Sequence, residues 1–311
     1  MRIQPGTNYR CATGLLLAAM TVTLLGGCAE QTVTPPHRLS VMPLAVQIHQ
    51  INQIAARIHA IRLTGSITIH YYNRHNQAQS LSLHAVLLIN RLASSATSVE
   101  SSSRQAEVLL LTTYLGQNAM ELGVNRRGYW LINHQKNVAY IGHLDSSGQT
   151  PPGVLPLNPA ELLGLLGFAS LPTDGRTLRT VVPGAADVRL LVLGTEHGRP
   201  AVRRQIDISR YTGRIVKVTL FNDDARASAI CSLAHYPTLA PEALDSTHTP
   251  IAKLICRRFS ITVPARRISI AFHVHHVYAK LPGKARFIFR RPSLQGDKIR
   301  EIVPADAMHQ R

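Results

Sequence analysis

From residue 61 onward the apolar residues recur at every second position, and this period constrains the fold more than any other feature of the chain. Leu63, Ile67, Ile69 and Tyr71 alternate with Thr64, Ser66, Thr68 and His70. After a polar turn at Asn73 to Gln77, Leu81, Leu83, Ala85, Leu87 and Ile89 alternate again. Successive side chains of a strand point to opposite faces, so the pattern describes strands with one apolar face each. Further strands are expected at Glu107–Leu115, Ala119–Asn125, Gly128–Asn133 and Asn137–His143, joined by short turns suited to hairpins. Later strands are expected at Leu178–Val182, Val188–Leu193, Ala201–Ser209, Arg214–Phe221 and Arg286–Arg290. Ile268, Ile270, Phe272 and Val274 alternate in one phase, and Val277, Ala279 and Leu281 in the other. The switch at His275-His276 is what a β-bulge produces.

Two segments carry the helical period instead. Leu44, Ile48, Ile51, Ala55 and Ile58 recur at amphipathic spacing, with Pro43 placed to start the helix. The second spans Pro159 to Gly167, with Asn158 as N-cap and Gly167 as C-cap. Its Leu162, Leu163, Leu165 and Leu166 cover most of its surface, so it wants burial. There is no βαβ rhythm. The expected fold is mainly β (α+β): about eleven or twelve strands in one strongly curved antiparallel sheet, an incomplete barrel with both helices on its concave side.

The N-terminus reads as an export signal. Arg2 and Arg10 precede an uncharged apolar stretch, Ala12 to Leu25, which is short for a membrane span. Leu24-Leu25-Gly26-Gly27-Cys28 resembles a bacterial lipobox. The expected organisation is a signal peptide at 1–27, a tether at 28–43 lipidated on Cys28, a folded domain at 44–292 and a polar tail at 293–311. Two or three acyl chains anchor a protein stably. Ala29 favours the outer membrane, facing the periplasm.

Composition narrows the function classes. Lys and Arg number 34 against 17 acids, yet charged residues are only 16% of the chain. That is too few for a coiled coil or a charged tail. Lys253 to Arg291 contains ten basic residues and no acid, with doublets at Arg257/Arg258, Arg266/Arg267 and Arg290/Arg291. A basic face on an anchored domain would meet anionic headgroups, at about 1 kcal/mol per residue; a solvated surface is the other reading. Export argues against a nucleic-acid partner. Besides the lipidated Cys28, cleavage leaves Cys231 and Cys256, which face each other if 226–236 and 251–261 pair as a hairpin with 226 opposite 261. A disulfide then follows; two free buried cysteines are the alternative. His273, His275 and His276 lack a nearby acid or cysteine, so no metal and no cofactor is expected. Asn222-Asp223-Asp224 reads as a turn. No nucleophile elbow, phosphate loop or zinc-protease motif occurs, and no enzyme is expected.

Signal, lipobox, linker, helix and a long meander broken by one helix resemble the LolA/LolB lipoprotein-carrier superfamily. The residues carrying the likeness are Ile61-Arg62-Leu63-Thr64-Gly65, Gly128-Tyr129-Trp130-Leu131, Leu155-Pro156-Leu157-Asn158-Pro159 with the leucines after it, and the Asp207–Lys217 hairpin. The resemblance implies an apolar half-barrel cavity holding a lipid or lipoprotein acyl chain, with a helix as lid. Ile67, Ile69, Leu83, Leu87, Met120, Leu122 and Val124 would line it, with Trp130, Leu162, Leu163 and Leu166 nearby. The same residues filling a solid core is the other reading. A lipid-anchored scaffold that contacts an envelope protein is the alternative function.

Overall fold

The computed structural model describes residues 43–301, except 74, 92–105, 126–127, 143–160, 174, 182–184, 197–198, 223, 240–247, 283–288 and 291–297. The signal peptide, Cys28 and Arg291 lie outside the described residues. The alternating segments become β1 (Ala60–Tyr72), β2 (Ala78–Arg91), β3 (Ala106–Tyr114), β4 (Gln117–Asn125), β5 (Gly128–Asn133) and β6 (Val138–Gly142). After the second helical segment come β7 (Thr177–Val181), β8 (Asp187–Glu196), β9 (Arg199–Ser209), β10 (Ile215–Phe221), β11 (Ala227–Ala234), β12 (Arg258–Val263), β13 (Ile268–Tyr278) and β14 (Lys298–Glu301).

All fourteen belong to one sheet, ordered β14-β6-β5-β4-β3-β2-β1-β13-β12-β11-β10-β9-β8-β7. Pairing is antiparallel throughout, save for β14, which runs parallel to β6. The sheet is open, with β14 and β7 at its edges. The chain therefore starts mid-sheet and runs outward to β6. It then passes to the opposite edge at β7 and returns to lay β13 beside β1. The bulge falls where the phase switch predicts it: Thr64 faces His276 and Gly65 faces Val274, which leaves His275 extra.

The first helix, α1 (Leu44–Arg57), begins after Pro43 and buries Ala55, Ile48 and Ile51, the two isoleucines in one apolar cluster with the strands. The second, α2 (Leu162–Leu165), is followed by Gly167, whose φ of 74° suits a residue without Cβ; Asn158 and Pro159 lie outside the described residues. Asn52 ties the two together: its Nδ2 donates to the Leu171 carbonyl (3.0 Å) and its Oδ1 accepts from the Leu171 N–H (2.6 Å).

Three expectations need correction. Residues 251–254 form a helical turn, α3 (Ile251–Leu254), and not the start of a strand. Pro250 precedes this turn, as it does at many helix starts. Phe289 and Arg290 lie in a turn, not in a strand. Finally, β14 falls within the segment read as a polar tail. It has one apolar residue, Ile299, so no alternation betrays it; its ladder is made by backbone groups.

The sheet has two apolar faces of unequal size. One carries α1, α2, Phe168 and Leu171 over the inward residues of β1 to β5 and β8 to β13. Phe259 anchors it, edge-on to Phe168 at 6.0 Å and stacked on Phe272 at 6.3 Å. Such pairs are worth about 0.5–1.5 kcal/mol beyond burial. The other face carries a small cluster: Leu88, Leu109, Trp130, Ile132, Ala139 and Ile141, capped by Phe289.

Candidate functional site

The covered face gathers ten of the eleven residues that the resemblance placed at a cavity. Ile67, Leu83, Leu87, Val124, Leu163 and Leu166 are buried there. Ile69, Met120, Leu122 and Leu162 are partly buried against them. Trp130 is the exception and the correction. Alternation along β5 sends Tyr129 inward and Trp130 to the opposite face, where it is 1% exposed. Its indole Nε1 donates to Glu121 Oε1 at 2.7 Å, and its ring lies over Gly123, where any side chain would collide with it.

The cysteine pairing is also corrected. In the β11–β12 ladder Cys231 faces Ile261, five positions beyond the residue expected, because α3 and Ile255 take up chain the hairpin reading had assigned to a strand. Both cysteines are free, buried thiols. Burial pushes the Cys231 thiol up to about 12. It raises Cys256 as well, with Cys231 adding to the effect, and it holds the Tyr236 phenol well above its ordinary value.

Among the described residues the first two basic doublets lie at opposite ends of one strand. Arg257 and Arg258 sit at the start of β12, while Arg266 and Arg267 follow its far end. Six strand residues, about 20 Å, separate the two doublets. Arg267 belongs to the tip of the β1–β2 hairpin: its Nη1 donates to Asn76 Oδ1 (2.6 Å) and its guanidinium lies 3.8 Å from the Tyr72 ring centre. Arg290 is exposed beside Phe289, on the side of the small cluster. Among the described residues no three His, Cys, Asp or Glu side chains are grouped to hold a metal, and no helix is long and apolar enough to cross a membrane.

Sequence reading passed over two arginines that turn into this architecture, one buried and one half-buried. Arg214 follows the Thr212-Gly213 turn and is 6% exposed. Its Nη1 donates to the Lys253 carbonyl (2.9 Å) and its Nη2 to the Pro237 carbonyl (3.3 Å), and its guanidinium lies 4.7 Å from the Tyr236 ring centre. Arg204 lies mid-strand in β9, facing Val192 of β8 and Leu220 of β10. Its guanidinium reaches the α2 segment: Nη2 donates to the Ser170 carbonyl at 3.3 Å, and a Cβ on Gly164 would stand 3.1 Å from Nη1. Burial lowers its pKa to about 10. The signal was present in the sequence, since Arg204 is in phase with the inward Ile206 and Ile208. Beside it, Arg203 is the extra residue of a bulge, where Val192 faces Arg204 and Leu193 faces Val202. Arg203 interacts with Glu161, whose carboxyl is raised by burial and partly restored by that arginine.

No protein-family model and no curated protein sequence matches the chain. Solved structures do resemble it. A putative outer membrane lipoprotein-sorting protein domain from Vibrio parahaemolyticus is 11% identical over 79% of this chain and 100% of its own, with a TM-score of 0.48. A DUF1329 family protein from Desulfovibrio piger is 9% identical over 82% and 100%, with a TM-score of 0.49. A LolA superfamily protein from Nitrosomonas europaea is 8% identical over 81% and 99%, with a TM-score of 0.44.

Proposed function

We propose that this chain is an envelope lipoprotein, anchored through acylated Cys28 at the periplasmic side of the outer membrane. It receives or carries an acyl chain on its covered apolar face and performs no chemistry of its own. The observation carrying this reading is the placement of α2, Phe168 and Leu171. They lie over one face of an open sheet, and the strand residues beneath them are apolar. A short separate cover parts from a sheet more readily than a strand leaves its ladder. A tether of residues 28–43 reaches about 50 Å when extended, enough to present this face to a membrane. The test is native mass spectrometry of residues 29–311 prepared without the lipid anchor. Co-purifying acyl lipid is expected. A clean protein that also takes up no fluorescent fatty-acyl probe would overturn the reading.

A protein-binding scaffold is the second reading, favoured by the tips of two hairpins. Tyr72 and Tyr114 are 45% and 46% exposed, and Leu115 is 86% exposed. Crosslinking from position 115 in cells that captured no protein would count against it.

A further inference from the structure

We infer that Arg204 is the anchor for the oxyanion head of an amphiphile, a carboxylate or a phosphate, whose aliphatic tail lies on the covered apolar face. The inference rests on the lipid-binding reading above and narrows it to anionic ligands.

A guanidinium offers five N–H donors. Among the described residues Arg204 meets one acceptor, the Ser170 carbonyl, and no carboxylate. Its strand neighbours Val192 and Leu220 are apolar and buried. A half-buried guanidinium on an apolar face, with no counter-ion and donors left over, is a place for an anionic ligand. The acid of this corner does not neutralise Arg204, because Glu161 interacts with Arg203. Arg204 nevertheless stays protonated at neutral pH, since burial takes its pKa down only to about 10. Gly164 of α2 packs against Nη1, where a Cβ would stand 3.1 Å away, so the glycine lets the cover come down onto the guanidinium. A planar fork with donors left over matches the two oxygens of a carboxylate or phosphate. An acylated lipoprotein terminus has amide, thioether and ester groups and no oxyanion. The site therefore selects a fatty acid or an anionic lipid over a protein-borne acyl chain.

The experiment uses the full chain in neutral maltoside micelles with a trace photoreactive dodecanoate. Competitors are dodecanoate, dodecyl phosphate, dodecanol and inorganic phosphate, tested on the wild type, Arg204→Met and Arg204→Lys. Label is expected on the peptides bearing α2 and β9. The two anionic amphiphiles should compete about ten- to a hundredfold better than dodecanol. That preference should vanish in Arg204→Met and partly return in Arg204→Lys. Comparing preferences between variants cancels partition into micelles, and circular dichroism checks that each variant is folded. An equal preference in wild type and Arg204→Met, with all amphiphiles competing, overturns the role of Arg204 and leaves the lipid-binding reading intact. Competition by inorganic phosphate at the same concentration overturns the amphiphile assignment. Labelling that no amphiphile displaces sinks both.

Discussion

Arg204 and Arg214 lie one strand apart, both turned into the protein, and they are accommodated in opposite ways. Arg214 has two carbonyls and an aromatic face arranged around it, from α3 and from the loop after β11, which converge on the start of β10. Arg204 sits mid-strand, where neighbouring carbonyls are already used by the ladder, and it meets one carbonyl from the segment lying over the sheet. Position on the strand explains the contrast. Loops and the last turn of a helix have spare carbonyls to offer a cation, whereas the middle of a sheet has none. The first corner is finished by the chain itself. The second is left with donors to spare.

Removing each arginine should break the symmetry most sharply at Arg214. Arg214→Met strands the Lys253 and Pro237 carbonyls and loses the ring contact. Stability should fall by about 3 kcal/mol in urea titrations. A loss below about 1 kcal/mol would erase the contrast between the corners.

Alkaline pH should separate them next: burial lowers both arginines, but the raised thiols and phenol beside Arg214 titrate with the opposite sign. Cys231 begins to ionise near 9 when unfolded and near 12 when folded, so the unfolded state releases its proton first. Stability is then complete below pH 9 and declines by about 1.4 kcal/mol per pH unit up to about pH 12. Cys256 and Tyr236, which adjoin Arg214, are raised in the same direction and steepen the loss. Arg204 opposes it: its pKa is lowered from 12.5 to about 10, so the unfolded state holds its proton longer and stability gains over that interval. Denaturation between pH 8 and 11 should become shallower in Cys231→Ala and steeper in Arg204→Met. Parallel curves for all three proteins would refute the assignment.

The smallest expected change is at Arg204 itself near neutrality. Arg204→Met removes an uncompensated charge and one hydrogen bond, and stability should rise by roughly 1 kcal/mol. A fall of 2 kcal/mol or more would mean that Arg204 is as structural as Arg214.

Much of this architecture was legible in the sequence because one face of each strand is apolar. Period two located β1 to β13 within a few residues, apart from β12, and the phase switch at His275 located the bulge. Failures occurred where backbone, not side chains, makes the structure. β14 has no alternation, and α3 interrupts a run of apolar residues that reads equally well as strand. The candidate site was half legible. Parity collected the apolar face, and the same parity, applied to β5 and β9, would have excluded Trp130 and admitted Arg204. The cysteine pairing failed because a register assumed without its turn is unconstrained.

The place of β1 at the centre of the sheet bears on how the chain assembles. Its two partners are β2, which follows at once, and β13, whose His276 pairs with Thr64 across nearly the whole domain. The strands β1 to β6 can pair as each appears. The remainder must begin at a free edge, and it joins the rest only when β13 arrives. Loop closure over such a length costs little extra free energy, but it is slow. A chain delivered from its N-terminus thus spends its longest unfinished interval as two unjoined meanders, with the α2 segment already in place between them in the order of synthesis.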